Sequence, residues 1–287
     1  MNLVWNKKKI KEMLNTKLEK SYSDNSPLLK QDINTLKMIL NMPIKDEIVI
    51  HREKVYSPEI LYSLKRVKNI GIPIHKDIRN FKIYTKDDGI KFIKSKMSFL
   101  ERNKLNDMID LSLINFNYKD AKDYYLPYEK QNLIGISYDG TIDSMRKFMH
   151  EFGHALDWTN INTFDELSNY LVSNYTETMA IFKELEFLDR LDLSKSNVKE
   201  QKSMFLKNYQ YKILYYKNTS KYNCSYMLAH YLFYLSKNDP VKYREYMEMY
   251  KEFIKRYDDN KLITKMKIKS DDLVLAYKKY LKEYSSM

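Results

Sequence analysis

The sequence predicts a mainly α-helical fold carrying a small β-sheet, an α+β arrangement. Three observations lead there. Only five glycines and six prolines punctuate 287 residues, too few for the turns of a hairpin-rich sheet protein. Charged segments with apolar residues three and four positions apart recur along the chain, the spacing that gives a helix one apolar face. Strand-like stretches are few. The best are residues 81–85 and 133–138, the second reading LIGISY between the polar EKQN and the turn-like Asp139-Gly140.

The spacing predicts helices over residues 6–20, 26–41, 57–68, 87–104, 141–158, 163–190, 197–217, 221–236, 240–257 and 270–284. Local chemistry marks several starts. Ser57-Pro58-Glu59 offers an N-cap followed by proline at the first helical position, where a missing N–H costs nothing. Thr163 with Glu166 forms a capping-box pattern, and Asp239-Pro240 and Ser270-Asp271 open two more helices. No internal repeat or low-complexity segment stands out. A division near residue 115 separates a helical N-terminal region, 1–115, from a segment 116–287 that carries the chemistry. The first is a candidate lid or substrate-cleft half.

Composition narrows the function classes. Hydrophobic residues at 44% and charged residues at 31% suit a globular protein and are too apolar for a disordered one. The opening MNLVWNKKKIKEMLNTKLEK interleaves lysines with apolar residues and lacks the apolar run and cleavage site of a signal peptide. No stretch reaches the roughly eighteen consecutive apolar residues of a membrane helix, so no transmembrane segment is expected. Cys224 is the single cysteine, which excludes an internal disulfide and fits a cytoplasmic location. The net charge of +12 comes from lysines scattered among Asn, Ile and Tyr, a mixture that AT-rich coding produces. With no basic block and no recognisable binding module, a nucleic-acid partner is not expected.

In SMRKFMHEFGHALDW, residues 144–158, His150, Glu151 and His154 form an H-E-x-x-H pattern on a predicted helix. Residues four apart are about one turn apart, so both imidazoles project from one face and can share one tetrahedral zinc ion. Glu151, beside the first ligand, leans toward the open coordination position as a general base. The flanking Met145, Phe148, Met149, Phe152, Ala155 and Leu156 predict a buried helix, where two imidazoles and a carboxylate need partners that a metal supplies.

A catalytic zinc normally takes three protein ligands. Glu177 is the leading third candidate, on a helical segment able to fold back antiparallel against the first. His230 and His75 are alternatives that no pattern singles out. Glu184, two turns beyond Glu177, is placed to orient a ligand histidine from behind. Asp157, two turns from His150, is placed to do the same or to cap the helix end.

These segments resemble the gluzincin peptidases, specifically the oligoendopeptidase F and thimet oligopeptidase family. LIGISYDGTIDSMRKFMHEFGHALD, residues 133–157, is similar to that family's edge strand, Gly-Thr turn and zinc helix. ETMAIFKE, Glu177 to Glu184, followed by Asp189, resembles its metal-binding glutamate helix, with Ala180 where serine is common. Tyr222-Asn-Cys-Ser-Tyr226-Met-Leu and the following DPVKYREYMEMYKEFIKRY resemble the C-terminal helices that bring transition-state-stabilising tyrosines to the metal. Residues 208–221 lack the histidine the family places there, and the N-terminal region is shorter than the family's channel-closing half.

The resemblance implies a zincin-type metallopeptidase fold with an active-site helix and one zinc ion held by His150, His154 and Glu177. It implies hydrolysis of peptide bonds by metal-activated water, with Glu151 as general base. Tyr226 is the first candidate for the oxyanion donor and Tyr222 the second. The peptide substrate is expected to pair with the backbone of Gly135, Ile136 and Ser137. An aspartate at the position of Asp157 is similar to zinc toxins resembling anthrax lethal factor, which makes a protein-cleaving toxin peptidase one alternative. A catalytically inactive zincin-like binding protein is another, though a scaffold has no use for Glu151 beside open metal.

Overall fold

The computed structural model describes residues 3–5, 7–24, 29, 30, 33, 36, 37, 40, 48–50, 56–68, 85–111, 113–116, 124–128, 131–158, 166, 169, 170, 173–191, 198–205, 221–256 and 259–285. Helices dominate these residues, and the strands are short. Two strands, β1 (Leu3–Trp5) and β2 (Ile48–Ile50), pair antiparallel, with α1 (Lys7–Ser21) between them in the chain. Neither was legible as a strand in the sequence. The helix α2 (Pro58–Lys68) packs on α10 (Ser270–Ser285), near the other end of the chain. Ile60 and Leu64 of α2 and Leu273 and Tyr277 of α10 belong to one buried apolar cluster, so residues on both sides of position 115 share a core.

The expected helix 87–104 is two helices, α3 (Lys86–Lys96) and α4 (Phe99–Asp110). Ser98 interrupts it by capping: its hydroxyl accepts from the Glu101 amide at 3.3 Å, and the Glu101 carboxylate accepts from the Ser98 amide at 3.0 Å. This reciprocal pair satisfies donors that would otherwise be orphaned at a helix start. Of the expected strand 81–85, only Thr85 lies within the described residues, and it serves as the N-cap of α3. Thr163 likewise lies outside them.

A second sheet leads into the H-E-x-x-H helix. Its strands β3 (Ile114–Asn115), β4 (Tyr124–Tyr128) and β5 (Gln131–Gly135) lie in the order β3-β5-β4, with β3 parallel and β4 antiparallel to the central β5. The Tyr138 amide donates to the Phe116 carbonyl at 3.2 Å, carrying the chain on to a turn. There Gly140 takes φ of 81°, a left-handed conformation that a side chain disfavours. Asp139 Oδ1 accepts from the Thr141 amide at 3.0 Å and hydroxyl at 2.7 Å, and the Thr141 hydroxyl accepts from the Ser144 amide at 3.1 Å. Thr141 thereby caps α5 (Ile142–Trp158).

Helix α5 is two-faced. Met145, Phe148, Phe152 and Ala155 are buried, and Phe148 lies 5.6 Å from the Phe116 ring, tying α5 to the sheet. Arg146, His150, His154 and Asp157 recur at spacings of three and four along another stripe. Helix α6 (Thr178–Asp189) packs closely on α5. The two approach so closely that a Cβ on Gly153 would stand 2.5 Å from the Ala180 Cα. A variant Gly153→Val is expected to force α5 and α6 apart and lower unfolding stability by about 1–3 kcal/mol or more. Denaturant unfolding measures it; a wild-type midpoint would contradict this packing.

The helices α7 (Lys221–Asn238) and α8 (Pro240–Phe253) follow, with Asp239 capping α8 ahead of Pro240 as expected. The expected helix 240–257 ends early, and a short α9 (Asp259–Lys265) precedes α10. Among the described residues no helix is long and apolar enough to cross a membrane.

Candidate metal centre

Glu177 is the N-cap residue of α6 and closes a turn over residues 174–177, so the expected continuous helix 163–190 is broken there. The break serves the site. Thr176 donates its hydroxyl to the Ser173 carbonyl at 2.6 Å, and the Glu177 carbonyl accepts the first hydrogen bond of α6 from Ile181 at 2.9 Å. Glu177 therefore enters at a helix end, pointing across to α5.

Three ligand atoms converge. Glu177 Oε2 lies 3.3 Å from His150 Nε2 and 3.3 Å from His154 Nε2, and the three candidate atoms fall within 4.8 Å of one another. A direct charge-assisted hydrogen bond would bring nitrogen and oxygen to about 2.7–2.9 Å. A separation of 3.3 Å is instead about the edge of a tetrahedron whose corners stand ~2.0–2.1 Å from its centre, the bond lengths zinc takes with imidazole and carboxylate. The donor set of two imidazoles and one carboxylate fits a metal ion.

Both imidazoles are held from behind. His150 Nδ1 lies 2.5 Å from Glu184 Oε1, and the other oxygen of Glu184 accepts from Arg146. Arg146 also donates from Nε to Asp143 Oδ1 at 3.0 Å and stacks over the Phe205 ring at 5.4 Å. His154 Nδ1 lies 3.0 Å from the Tyr170 hydroxyl. With each Nδ1 engaged, the Nε2 atoms are left to face the centre.

The electrostatics favour a cation. Burial alone would lower the His150 pKa, but Glu184, Glu177 and Glu151 outweigh it and raise it to about 10. Burial would raise the Glu177 carboxyl, yet His154 and His150 hold it well below the usual range. Burial likewise opposes ionisation of Glu184, but Arg146 and His150 lower its pKa. Asp157 differs: burial pushes its carboxyl up to about 8, against the lowering pull of Tyr250 and Tyr170.

Compared with family models, curated proteins and solved structures, the chain matches none.

His150, His154 and Glu177 come together, with Glu184 on the back of His150. Glu151 is half-buried beside them, and its charge acts on His150. Asp157 lies in the last turn of α5 rather than capping its end, and it is linked to His154 through Tyr170, whose hydroxyl stands 3.4 Å from its Oδ2. Tyr226 is buried on α7, and Tyr222, one turn earlier, is exposed. The intervening Ser225 donates to the Asn174 carbonyl at 3.0 Å, which sets this stretch of α7 against the Glu177 turn.

Two expectations need correction. Gly135 is not at a sheet edge: it ends β5 and pairs with Tyr124 on one side and Asn115 on the other, and Gly135 and Ile136 are buried while Ser137 is exposed. The strand is interior because β4 returns along it as a hairpin, so a substrate cannot pair with Gly135. His230 is not a third ligand. Its Nδ1 lies 2.6 Å from the Tyr226 carbonyl of its own helix, and its ring faces Tyr277 on α10. His75 lies outside the described residues.

Sequence reasoning missed Arg146, Tyr170 and Tyr250. Arg146 had a signal, standing one helical turn before His150 on the same stripe. The two tyrosines had none among 26.

Proposed function

We propose that this protein is a zinc-dependent peptidase of the zincin type. The observation that carries the reading is the convergence of His150 Nε2 and His154 Nε2 on Glu177 Oε2, each at the 3.3 Å edge of a tetrahedral zinc site, with Glu151 next to His150 in the chain and its charge acting on that imidazole. Bound there, zinc supplies Lewis acidity toward a carbonyl oxygen and toward water. Glu151 accepts the proton of the attacking water and delivers it to the departing amine. Tyr226 or Tyr222, on the helix that Ser225 sets against the Glu177 turn, donates a hydrogen bond to the oxyanion.

The substrate pairs with β4 in this reading. The Ile134 amide donates to the Leu113 carbonyl and so points away from β4, which makes Tyr125↔Ile134 a non-hydrogen-bonded pair and leaves Tyr128, Leu126 and Tyr124 to exchange hydrogen bonds with β5. Tyr125 and Pro127 then direct their backbone groups away from it. Proline in a strand is confined to edges, as Pro127 is here, and it offers a peptide only its carbonyl. Main-chain recognition is accordingly short, centred on Tyr125.

The test is incubation of zinc-loaded protein with a mixed peptide library. Internal cleavage that a chelator abolishes supports the reading; an intact library contradicts it.

A further inference from the structure

Two buried tyrosines join the metal centre to parts of the chain that hold no ligand. Tyr250, on α8, places its hydroxyl 2.8 Å from Asp157 Oδ2 and 3.2 Å from the Tyr175 carbonyl. Tyr170 places its hydroxyl 3.4 Å from the same Oδ2, 3.3 Å from the Thr176 carbonyl and 3.0 Å from His154 Nδ1. Tyr175 and Thr176 immediately precede Glu177, and Asp157 is one turn beyond His154. Both hydroxyls thus bridge the helix that supplies two ligands and the turn that supplies the third. The Asn169 amide, donating to the Lys255 carbonyl at 2.8 Å, ties the Tyr170 segment to the chain just beyond α8.

Counting protons orders this cluster. For His154 Nε2 to present a lone pair, Nδ1 must carry the hydrogen and donate it to the Tyr170 oxygen. The single proton of Tyr170 is then shared between Asp157 Oδ2 and the Thr176 carbonyl. Tyr250 donates its own proton to Asp157 Oδ2, with the Tyr175 carbonyl as the more distant acceptor. Each of these hydroxyl and imidazole hydrogens has an acceptor, and Tyr170, Tyr250, Asp157 and His154 are all buried, where such bonds are strongest and hardest to replace by water.

We infer that Tyr250, bonded through its hydroxyl to Asp157 and near the Tyr175 carbonyl, is a positioning residue for the metal centre: with Tyr170 and Asp157 it locks the Glu177 turn to α5 and holds His154 in its metal-binding tautomer. This rests on the reading of the centre as a zinc site. Outer partners of metal ligands typically change metal affinity about 10–100-fold when removed.

The experiment measures zinc affinity by competition with a chromophoric chelator, and the visible spectrum of the cobalt-loaded protein, for wild type, Tyr250→Phe, Tyr170→Phe and the double variant. Each single variant is expected to lose about 10-fold or more in zinc affinity and to alter the cobalt spectrum, which reports ligand geometry. The double variant is expected to lose less than the product of the single losses, because both hydroxyls act through one oxygen of Asp157. Should Tyr250→Phe fail to fold, Asp157→Asn carries the same test together with Tyr170→Phe. Folded variants with wild-type affinity and spectrum overturn the inference while leaving the zinc site intact. Wild type that takes up neither metal overturns the zinc reading itself, and the inference falls with it.

Discussion

Glu151→Gln is expected to lower the rate of peptide hydrolysis by about 10²–10⁴-fold, the contribution typical of a positioned general base. The substitution keeps the size and hydrogen-bonding reach of the side chain and removes only its basicity. Zinc should stay, because Glu151 is not among the three converging ligand residues. The loss should therefore fall on the chemical step, with metal content unchanged and the folded state intact. Turnover at the wild-type rate would show that the proton is taken elsewhere.

The second large effect is on the metal. Glu177→Ala removes the anionic member of the donor set and leaves His150 and His154 facing a gap. Their backing partners, Glu184 and Tyr170, keep the rings in place but cannot supply a third ligand. Zinc affinity is expected to fall by more than the roughly 10–100-fold associated with losing an outer partner. Competition with a chromophoric chelator measures it. Unchanged affinity would assign the third ligand to another residue.

The core of the site was legible because it is local. H-E-x-x-H places two imidazoles on one helical face by backbone geometry alone. Glu177 and Glu184 were legible for a similar reason, lying two turns apart on an apolar segment whose polar exceptions stand out. The break at Ser98 was written in the sequence as Ser-x-x-Glu but lay hidden inside a continuous amphipathic pattern. The turn over residues 174–177 gave less warning, since Tyr175 and Thr176 are buried there as they would be in a helix.

The sheet misled for a physical reason. LIGISY is apolar on nearly every residue, which fits a strand covered on both sides better than an open edge. β3 spans only two residues and β4 contains a proline, so neither shows the alternation that marks a strand. The tyrosine clamp was beyond reach from sequence. Asp157 and Tyr250 meet across 93 positions, and contacts at such separation leave no periodic trace.

In the proposed mechanism one zinc ion, held by His150, His154 and Glu177, works with Glu151 to cleave peptides. Its most direct test is a titration of chelator-stripped protein with zinc while cleavage of a mixed peptide library is recorded. Cleavage should be absent at the start, rise in proportion to added zinc, and level off at one equivalent per chain. Protein that takes up no zinc, or whose cleavage does not depend on it, would contradict the account.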